Sequence, residues 1–115
     1  MELPDYALFV SFAEARARKL VAKENNLPSG AIRVLNGIAF RHSQKKNTHS
    51  KDIYAEKLAS PTLLRAYLAK LVDAGMVQRI KFAGRSHLSI TLTGLGLVSQ
   101  FQRELRTNMR QFSQA

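Results

Sequence analysis

The sequence predicts a mainly α-helical protein with one small β-hairpin. Apolar residues recur at the three- and four-residue spacing of a buried helix face in several stretches of the chain. A Ser-Pro pair and a glycine bracket one of these stretches, at 60–75, and both commonly mark the two ends of a helix. Apolar and polar residues alternate between 76 and 92, around an Ala-Gly pair that can form a tight turn.

The length and composition indicate a single domain. A chain of 115 residues with 45% apolar residues can bury its own core, and no linker or internal repeat divides it. We therefore expect one domain over 1–115, with long helices over 5–24 and 94–112 and a helix-turn-helix with a hairpin over 50–92.

The first helix is expected over 5–24. Its buried face is formed by apolar residues at helical spacing, namely Tyr6, Phe9, Val10, Ala13, Ala17, Leu20 and Val21. Leu8 and Phe12 lie off this face and form a second apolar flank, which suggests a surface for a partner. The stretch Asn-Asn-Leu-Pro-Ser-Gly then ends the helix.

Two shorter helices are expected next. The second covers 31–41, with Ser29 as its N-cap and with an inner face of Ile32, Leu35, Ile38 and Ala39. Residues 41–50 include no apolar side chain and predict an exposed basic loop. The third helix covers 50–59, capped by Ser50, with Asp52 in its first turn and an inner face of Ile53, Tyr54 and Leu58.

The fourth helix is expected over 60–74. Ser60 is a favourable N-cap, and Pro61 suits the first helical position because no backbone donor is needed there. Its core face is apolar at helical spacing, namely Leu64, Leu68, Leu71 and Val72. Gly75 is expected to stop it.

A hairpin over 76–92 and a last helix complete the chain. Leu88, Ile90 and Leu92 alternate with polar residues, and Gly84 can take the positive φ of a tight turn. Thr93 is expected to cap the last helix. Its stripe is apolar except for Asn108 and consists of Val98, Phe101, Leu105, Asn108, Met109 and Phe112.

This order of elements predicts a winged helix-turn-helix, in which the helix after the turn lies in the DNA major groove and the hairpin, or wing, reaches the backbone or minor groove. Small side chains on the outer side of helix 60–74 would let it approach base edges, and Arg65 can donate two hydrogen bonds to a guanine. The expected DNA-binding residues are Ser60, Pro61, Thr62, Leu63, Arg65, Ala66, Ala69, Lys70, Arg79, Lys81, Arg85 and His87.

The net charge supports a polyanionic partner. Eighteen basic residues against eight acidic residues give a net charge of +10. From residue 60 to the end, the ratio is eight to two. Such an excess attracts nucleic acid with a salt-dependent affinity, although a basic surface can also serve solubility alone.

The terminal helices are expected to build a homodimer across a two-fold axis. The stripe on the last helix exceeds what one small core requires, and the polar Asn108 could fix the register of the pairing. The expected interface residues are Phe9, Phe12, Val98, Phe101, Leu105, Asn108, Met109 and Phe112. The alternative is that both helices pack only within one protomer.

Two stretches resemble the MarR-type winged-helix transcription regulators: "LLRAYLAKLVDAGMVQRI" and the later "LSITLTGLG". The matching positions are Leu64, Leu68, Leu71, Gly75, Met76, Val77, Leu92, Thr93 and Gly96. The resemblance spans roughly residues 50–100. It implies a homodimer, a palindromic operator, and base reading by the start of the recognition helix, with Pro61, Thr62, Arg65 and Ala66 facing DNA. A small-molecule effector is possible by the same analogy.

Other classes of function find little support. Cysteine is absent, so disulfides and thiolate metal sites are excluded. His42, His49, Asp52 and Glu56 could be drawn together around a metal, but their spacing matches no known ligand signature, and we interpret them as surface residues. No nucleophile or phosphate-loop motif is present. We therefore expect no enzyme activity, no cofactor and no metal.

The absence of a long apolar run argues against a membrane span, and the order of charges at the N-terminus is the reverse of a secretory signal. We expect a cytoplasmic, dimeric, sequence-specific regulator that binds double-stranded DNA. Two alternatives stay open: a winged-helix module that binds protein or RNA, and a replication or transfer accessory factor of a mobile element.

Overall fold

The computed structural model describes the backbone of residues 3–56 and 58–113, and the side chains of 7–56, 58–81 and 83–110. The elements in chain order are α1 Leu3–Glu24, α2 Ser29–Ser43, α3 Ser50–Ala55, α4 Pro61–Asp73, β1 Val77–Phe82, β2 Arg85–Ile90 and α5 Leu92–Ser113. The predicted class, mainly α with a small hairpin and long terminal helices, is confirmed.

The core lies where α2 meets α1, α4, α5 and the hairpin. On α1 the fully buried residues are small or β-branched, namely Ala13, Ala17 and Val21. Leu20 was predicted on this face but is 39% exposed, and Ala22 is buried in its place.

Leucines on α4 and branched residues on α2 form one apolar cluster. Its largest fully buried members are Ile32, Val34, Leu35, Ile38, Ile53, Leu64, Leu68 and Leu71. The predicted inner faces of α2 and α4 are therefore confirmed, with Val34 in addition and with Ala39 and Val72 only partly buried.

The third helix is shorter than predicted. It ends at Ala55, and Leu58 lies in the bend that follows, where its side chain covers Gly37 of α2. Tyr54 is 40% exposed, so Ile53 is the buried residue of α3. A helix of six residues has fewer than two turns and can direct few side chains inward, which is why the predicted inner face was wrong at Tyr54. Leu58 does pack against the core as predicted, although it lies beyond the end of the helix.

Both ends of α4 follow the prediction. The Ser60 hydroxyl accepts a hydrogen bond from the Leu63 amide at 3.3 Å, and Pro61 is the first helical residue. Gly75 has φ 74° and ends the helix, because the Gly75 amide donates to the Val72 carbonyl and the Met76 amide donates to the Leu71 carbonyl. These two bonds form a Schellman motif.

The other predicted caps were wrong. Ser29 is the first residue inside α2, which begins after Pro28 without a side-chain cap. For α3 the N-cap position belongs to His49, whose amide donates to the Asp52 carboxylate at 2.8 Å, so Ser50 is already helical. For α5 the Thr91 hydroxyl accepts from the Gly94 amide at 3.1 Å, two residues before the predicted Thr93.

The hairpin pairs Val77 with Ile90 and Phe82 with Arg85 at its two ends. Ala83 and Gly84 form its turn with φ of 52° and 75°, so the expected positive φ at Gly84 is confirmed and Ala83 shares it. Leu92 was predicted to continue the strand, but the strand ends at Ile90 and Leu92 begins α5 with 88% of its side chain exposed.

The basic stretch between α2 and α3 is only partly a loop. α2 continues to Ser43, and Thr48 is 2% exposed because it forms a single antiparallel bridge with Leu88 of β2. The prediction of an exposed loop over 41–50 was therefore wrong at 41–43, which are helical, and at Thr48, which is buried. None of the helices in the described part of the chain is long and apolar enough to cross a membrane.

Candidate nucleic-acid interface

The side of α4 that faces away from the core is small and polar. Residues at helical spacing are all exposed along it, namely Thr62, Arg65, Ala66, Ala69 and Asp73. The two sides separate because the leucines at 64, 68 and 71 recur with the period of the helix and take up the inner face. Ser60, Pro61 and Lys70 are exposed as well, so one continuous surface runs the length of the helix.

The side chains of Arg65 and Lys70 are available to bind a partner on this surface. Among the described residues, neither side chain forms an ion pair or a hydrogen bond. Leu63 is 49% exposed on one flank. Tyr67, on the same flank, is half-buried because its ring lies over Gly30 at the start of α2. Tyr67 is therefore a packing residue between two helices.

The predicted wing residues divide between the two faces of the hairpin. Arg79 is paired with Leu88 and Lys81 with Ser86, so these two basic side chains share one face. Arg85 and His87 lie on the other face, opposite Phe82 and Ile80. Arg79, Lys81 and Arg85 are exposed and, within the described part of the chain, have no acidic partner.

His87 is the least accessible of the predicted wing residues. It is half-buried, with its ring centroid 4.6 Å from that of His49 and the two rings tilted by 52°. Its Nδ1 atom is buried and has no hydrogen-bond partner among the described residues. His87 therefore contacts the stretch between α2 and α3 from its side of the wing.

One arginine binds both carboxylates of α3 and the turn after it. The Arg41 guanidinium lies 3.4 Å from the Asp52 carboxylate and 3.5 Å from that of Glu56, and it donates to the Asn47 carbonyl at 2.8 Å. Both acids are therefore paired with an arginine of α2, and in the described part of the chain neither forms an ion pair with a basic residue of α4 or the wing.

The residues considered for a metal are not assembled as ligands. Asp52 and Glu56 bind Arg41, while His49 contacts the Ser86 carbonyl through Nδ1 at 2.9 Å. The described residues include no group of three or more histidine and acidic side chains that could hold a metal ion.

The terminal helices α1 and α5 pack against each other within the protomer, and Gln100 of α5 bonds to Glu24 and Asn25. Phe101 is 9% exposed in the protomer's own core, with Val98 and Leu105 packed partly against it. Asn108 is 8% exposed and donates from Nδ2 to the Glu104 carbonyl at 2.8 Å.

Phe9 and Met109 are half-buried, and the side chain of Phe112 lies outside the described residues. Leu8 and Phe12 remain 56% and 55% exposed on α1. The predicted second apolar flank of α1 is therefore present on the surface.

A cavity of about 700 Å³ lies between α1, α2 and α5. The family resemblance allowed a small-molecule effector, but the sequence did not indicate which residues would line its site. Aromatic and basic residues line the cavity together, including Arg18, Arg33, Phe40 and Phe101. The only signal in the sequence was Phe40, an apolar residue outside the predicted face of α2, which is 61% exposed.

Comparison with solved structures identifies the same arrangement in other proteins. NadR in complex with 4-hydroxyphenylacetate is 15% identical, with 99% of this chain and 80% of that chain covered and a TM-score of 0.71. The oxidised form of MarR from E. coli is 15% identical, with 96% and 79% covered and a TM-score of 0.68.

A MarR family protein of Mycobacterium tuberculosis in complex with p-aminosalicylic acid is 18% identical, with 96% and 83% covered and a TM-score of 0.66. No protein-family model matches the chain, and no curated protein matches its sequence. Identities this low establish architecture and leave function open. The chain has the MarR-type winged-helix fold.

Proposed function

We propose that the protein is a dimeric, sequence-specific DNA-binding regulator of transcription. The observation that carries this proposal is the surface of α4, where buried leucines direct Thr62, Arg65 and Ala66 outward and Arg65 has no partner among the described residues. The shared fold with MarR-type regulators supports the same conclusion.

In this proposal α4 lies in the major groove. Ala66 and Ala69 keep the helix surface low, so the backbone can approach the base edges, while Arg65 donates two hydrogen bonds to the O6 and N7 atoms of a guanine. Thr62 bonds to a base or a phosphate, and Lys70 binds a phosphate. Arg79, Lys81 and Arg85 extend the contact along the backbone or into a narrow minor groove.

Replacement of Arg65 by alanine tests base reading. We expect the complex with the selected DNA site to weaken by about 1–3 kcal/mol, with relaxed preference at one base pair and little change on random DNA. Selection of bound genomic fragments supplies the site, and band shifts at two salt concentrations measure the affinities. Equal weakening on specific and random DNA would mean that Arg65 binds only phosphate.

Two other variants calibrate this experiment. Lys70→Ala should weaken both complexes similarly and reduce the salt slope by about 1, as expected of a phosphate contact. Arg103→Ala removes an exposed arginine of α5, and it should leave both affinities unchanged. If the unmodified protein prefers no DNA sequence by at least ~10³-fold, a module that binds RNA or protein becomes the better interpretation.

The proposed activity is binding without catalysis. A regulator of this kind acts in the cytoplasm, where the DNA is, as a homodimer on a palindromic site. Its two recognition helices would then bind half-sites one helical turn apart.

We further propose that the cavity between α1, α2 and α5 receives an aromatic carboxylic acid. Arg33 can bind a carboxylate, while Phe40 and Phe101 can contact a ring. Arg18 also lines the cavity, where it lies 3.9 Å from the Glu14 carboxylate. Two proteins of the same fold were solved with such acids, 4-hydroxyphenylacetate and p-aminosalicylic acid.

Thermal unfolding with either acid tests this proposal. A ligand at 100 times its dissociation constant stabilises the native state by about 2.7 kcal/mol, and Arg33→Ala should abolish that gain. No rise in Tm at millimolar concentrations of either acid would contradict it.

A further inference from the structure

The stretch Gln44–Lys51, called here the basic segment, carries three exposed lysines: Lys45, Lys46 and Lys51. It contains no acidic residue. The nearest carboxylates in the sequence, Asp52 and Glu56, are both bound by Arg41. Within the described part of the chain, the three lysines therefore have no ion-pair partner.

The basic segment is attached to the wing at two successive residues. The Leu88 amide donates to the Thr48 carbonyl at 2.8 Å, and Thr48 is buried. His49 Nδ1 lies 2.9 Å from the Ser86 carbonyl. Because a carbonyl oxygen only accepts hydrogen bonds, Nδ1 must carry a proton and donate it.

The attachment fixes the direction of the segment. It crosses β2 at Leu88 and then contacts Ser86, which is closer to the Ala83-Gly84 turn at the tip of the wing. Lys51 follows this second contact by two residues and lies exposed in the first turn of α3. Lys45 precedes the first contact by three residues, at the opposite end.

The interior of the segment is held by further bonds. Arg41 donates to the Asn47 carbonyl at 2.8 Å, and the Lys46 amide donates to the Arg41 carbonyl at 3.0 Å. On the other side, the ring of His49 packs against that of His87 on the wing. The segment is therefore held on β2 by one bridge at Thr48 and by the His49 contact, with Lys45 and Lys46 before the bridge and Lys51 after it, in the first turn of α3.

We propose that Lys51 binds a phosphate of the DNA backbone, beside the part of the backbone that Arg85 at the wing tip reaches. The basic segment thereby widens the DNA footprint by one contact that carries no sequence information. This proposal rests on the proposed function, since it assumes that the wing faces DNA. Lys45 lies off the DNA in this arrangement.

The test compares Lys51→Ala with Lys45→Ala, which removes the same charge from the same segment. Lys51→Ala should weaken binding to the selected site and to random DNA by a similar factor, about three- to tenfold at low salt. The slope of log K against log salt concentration should fall by about 1. Lys45→Ala should leave both the affinities and the slope unchanged.

His49→Phe supplies a second test that keeps every lysine. It preserves an aromatic ring but removes the donor to Ser86, so the segment should detach from the wing. The Leu88 amide should then exchange its hydrogen faster, and the salt slope should fall as it does in Lys51→Ala. In Lys51→Ala the Leu88 amide should stay protected, because that variant removes charge alone.

Equal salt slopes for the Lys51 and Lys45 variants would overturn the inference, as would a Lys51 effect confined to the specific site. Either result could occur while Arg65→Ala behaves as proposed, and the regulator function would then stand without this contact. If the unmodified protein shows no salt-dependent DNA binding, the function and the inference fail together.

Discussion

Two glycines near the start of α5, Gly94 and Gly96, differ in what surrounds them. A Cβ atom at Gly94 would overlap the Met76 carbonyl oxygen and lie 2.8 Å from Cγ1 of Ile90. At Gly96 no atom lies within 4 Å of the same position. The family resemblance singled out Gly96, but in the structure Gly94 is the residue whose missing side chain lets α5 approach the loop after α4.

Replacement of Gly94 by alanine should destabilise the protein by about 1–3 kcal/mol, because a methyl group against backbone atoms requires α5 or Met76 to move. Gly96→Ala should be neutral or stabilise by up to about 1 kcal/mol, since alanine favours the helix and meets no neighbour there. Urea unfolding of both variants measures the difference. Equal effects would mean that the close approach at Gly94 relaxes without strain.

For single residues, the sequence predicted burial and exposure on α4 well, but it could not predict which residue caps α5. The leucines of α4 and the exposed position of Arg65 follow from helical period alone, which is a local property. The choice between Thr91 and Thr93 as cap of α5 depends on where β2 releases the chain. Leu92 lies between these two threonines and continues the apolar alternation of β2. For that reason the strand was predicted to end two residues too late.

Among whole elements, α4 is the best defined by its own sequence. A hydroxyl cap, a proline in the first turn and a Schellman motif at Gly75 fix both ends without help from distant residues. By contrast, α2 starts after Pro28 with no side-chain cap.

Loss of the cap at Ser60 should therefore matter where loss of the hydroxyl at Ser29 does not. We expect Ser60→Ala to lower the free energy of unfolding by about 1 kcal/mol, because the Leu63 amide loses its acceptor. Ser29→Ala should change it little, since alanine is the stronger helix former and no cap is lost. Thermal unfolding of the two variants distinguishes them, and a larger loss for Ser29→Ala would contradict the assignment of these helix starts.

The third helix and the basic segment were beyond prediction from the sequence for a physical reason. α3 has one fully buried residue, so its periodicity is too weak to define its end. The burial of Thr48 arises from pairing with Leu88, forty positions further along the chain, and nothing near Thr48 in the sequence indicates a strand. The cavity lined by Phe40 likewise exists only once three helices have packed.

For the molecule as a whole, the state of assembly depends on which apolar surfaces stay exposed in the protomer. Much of the stripe predicted for a partner is used within the protomer, where α5 packs on α1 and Phe101 joins the core. Leu8 and Phe12 stay exposed on α1 as an uncovered apolar flank. This flank is where we expect a second copy to bind.

Light scattering should give a mass of twice 12.9 kDa at micromolar concentration. Phe12→Glu should shift the protein to the monomer, because a carboxylate in an apolar interface loses its hydration. Leu92→Glu, at a leucine that is 88% exposed on α5, should leave the mass unchanged. A monomeric unmodified protein would remove the basis for a palindromic site.

Thr91 connects the end of α4 to the first turn of α5 through its hydroxyl and its amide. The hydroxyl donates to the Gly75 carbonyl at the end of α4 and accepts from the Gly94 amide in the first turn of α5, while the Thr91 amide donates to Met76. Because of these bonds, a tilt of α5 should move the C-terminal end of α4 in the same direction. If two protomers associate through their long terminal helices, the distance between the two α4 helices would depend on the angle at which those terminal helices cross. A ligand bound beside α5 would then change how well the two α4 helices fit DNA.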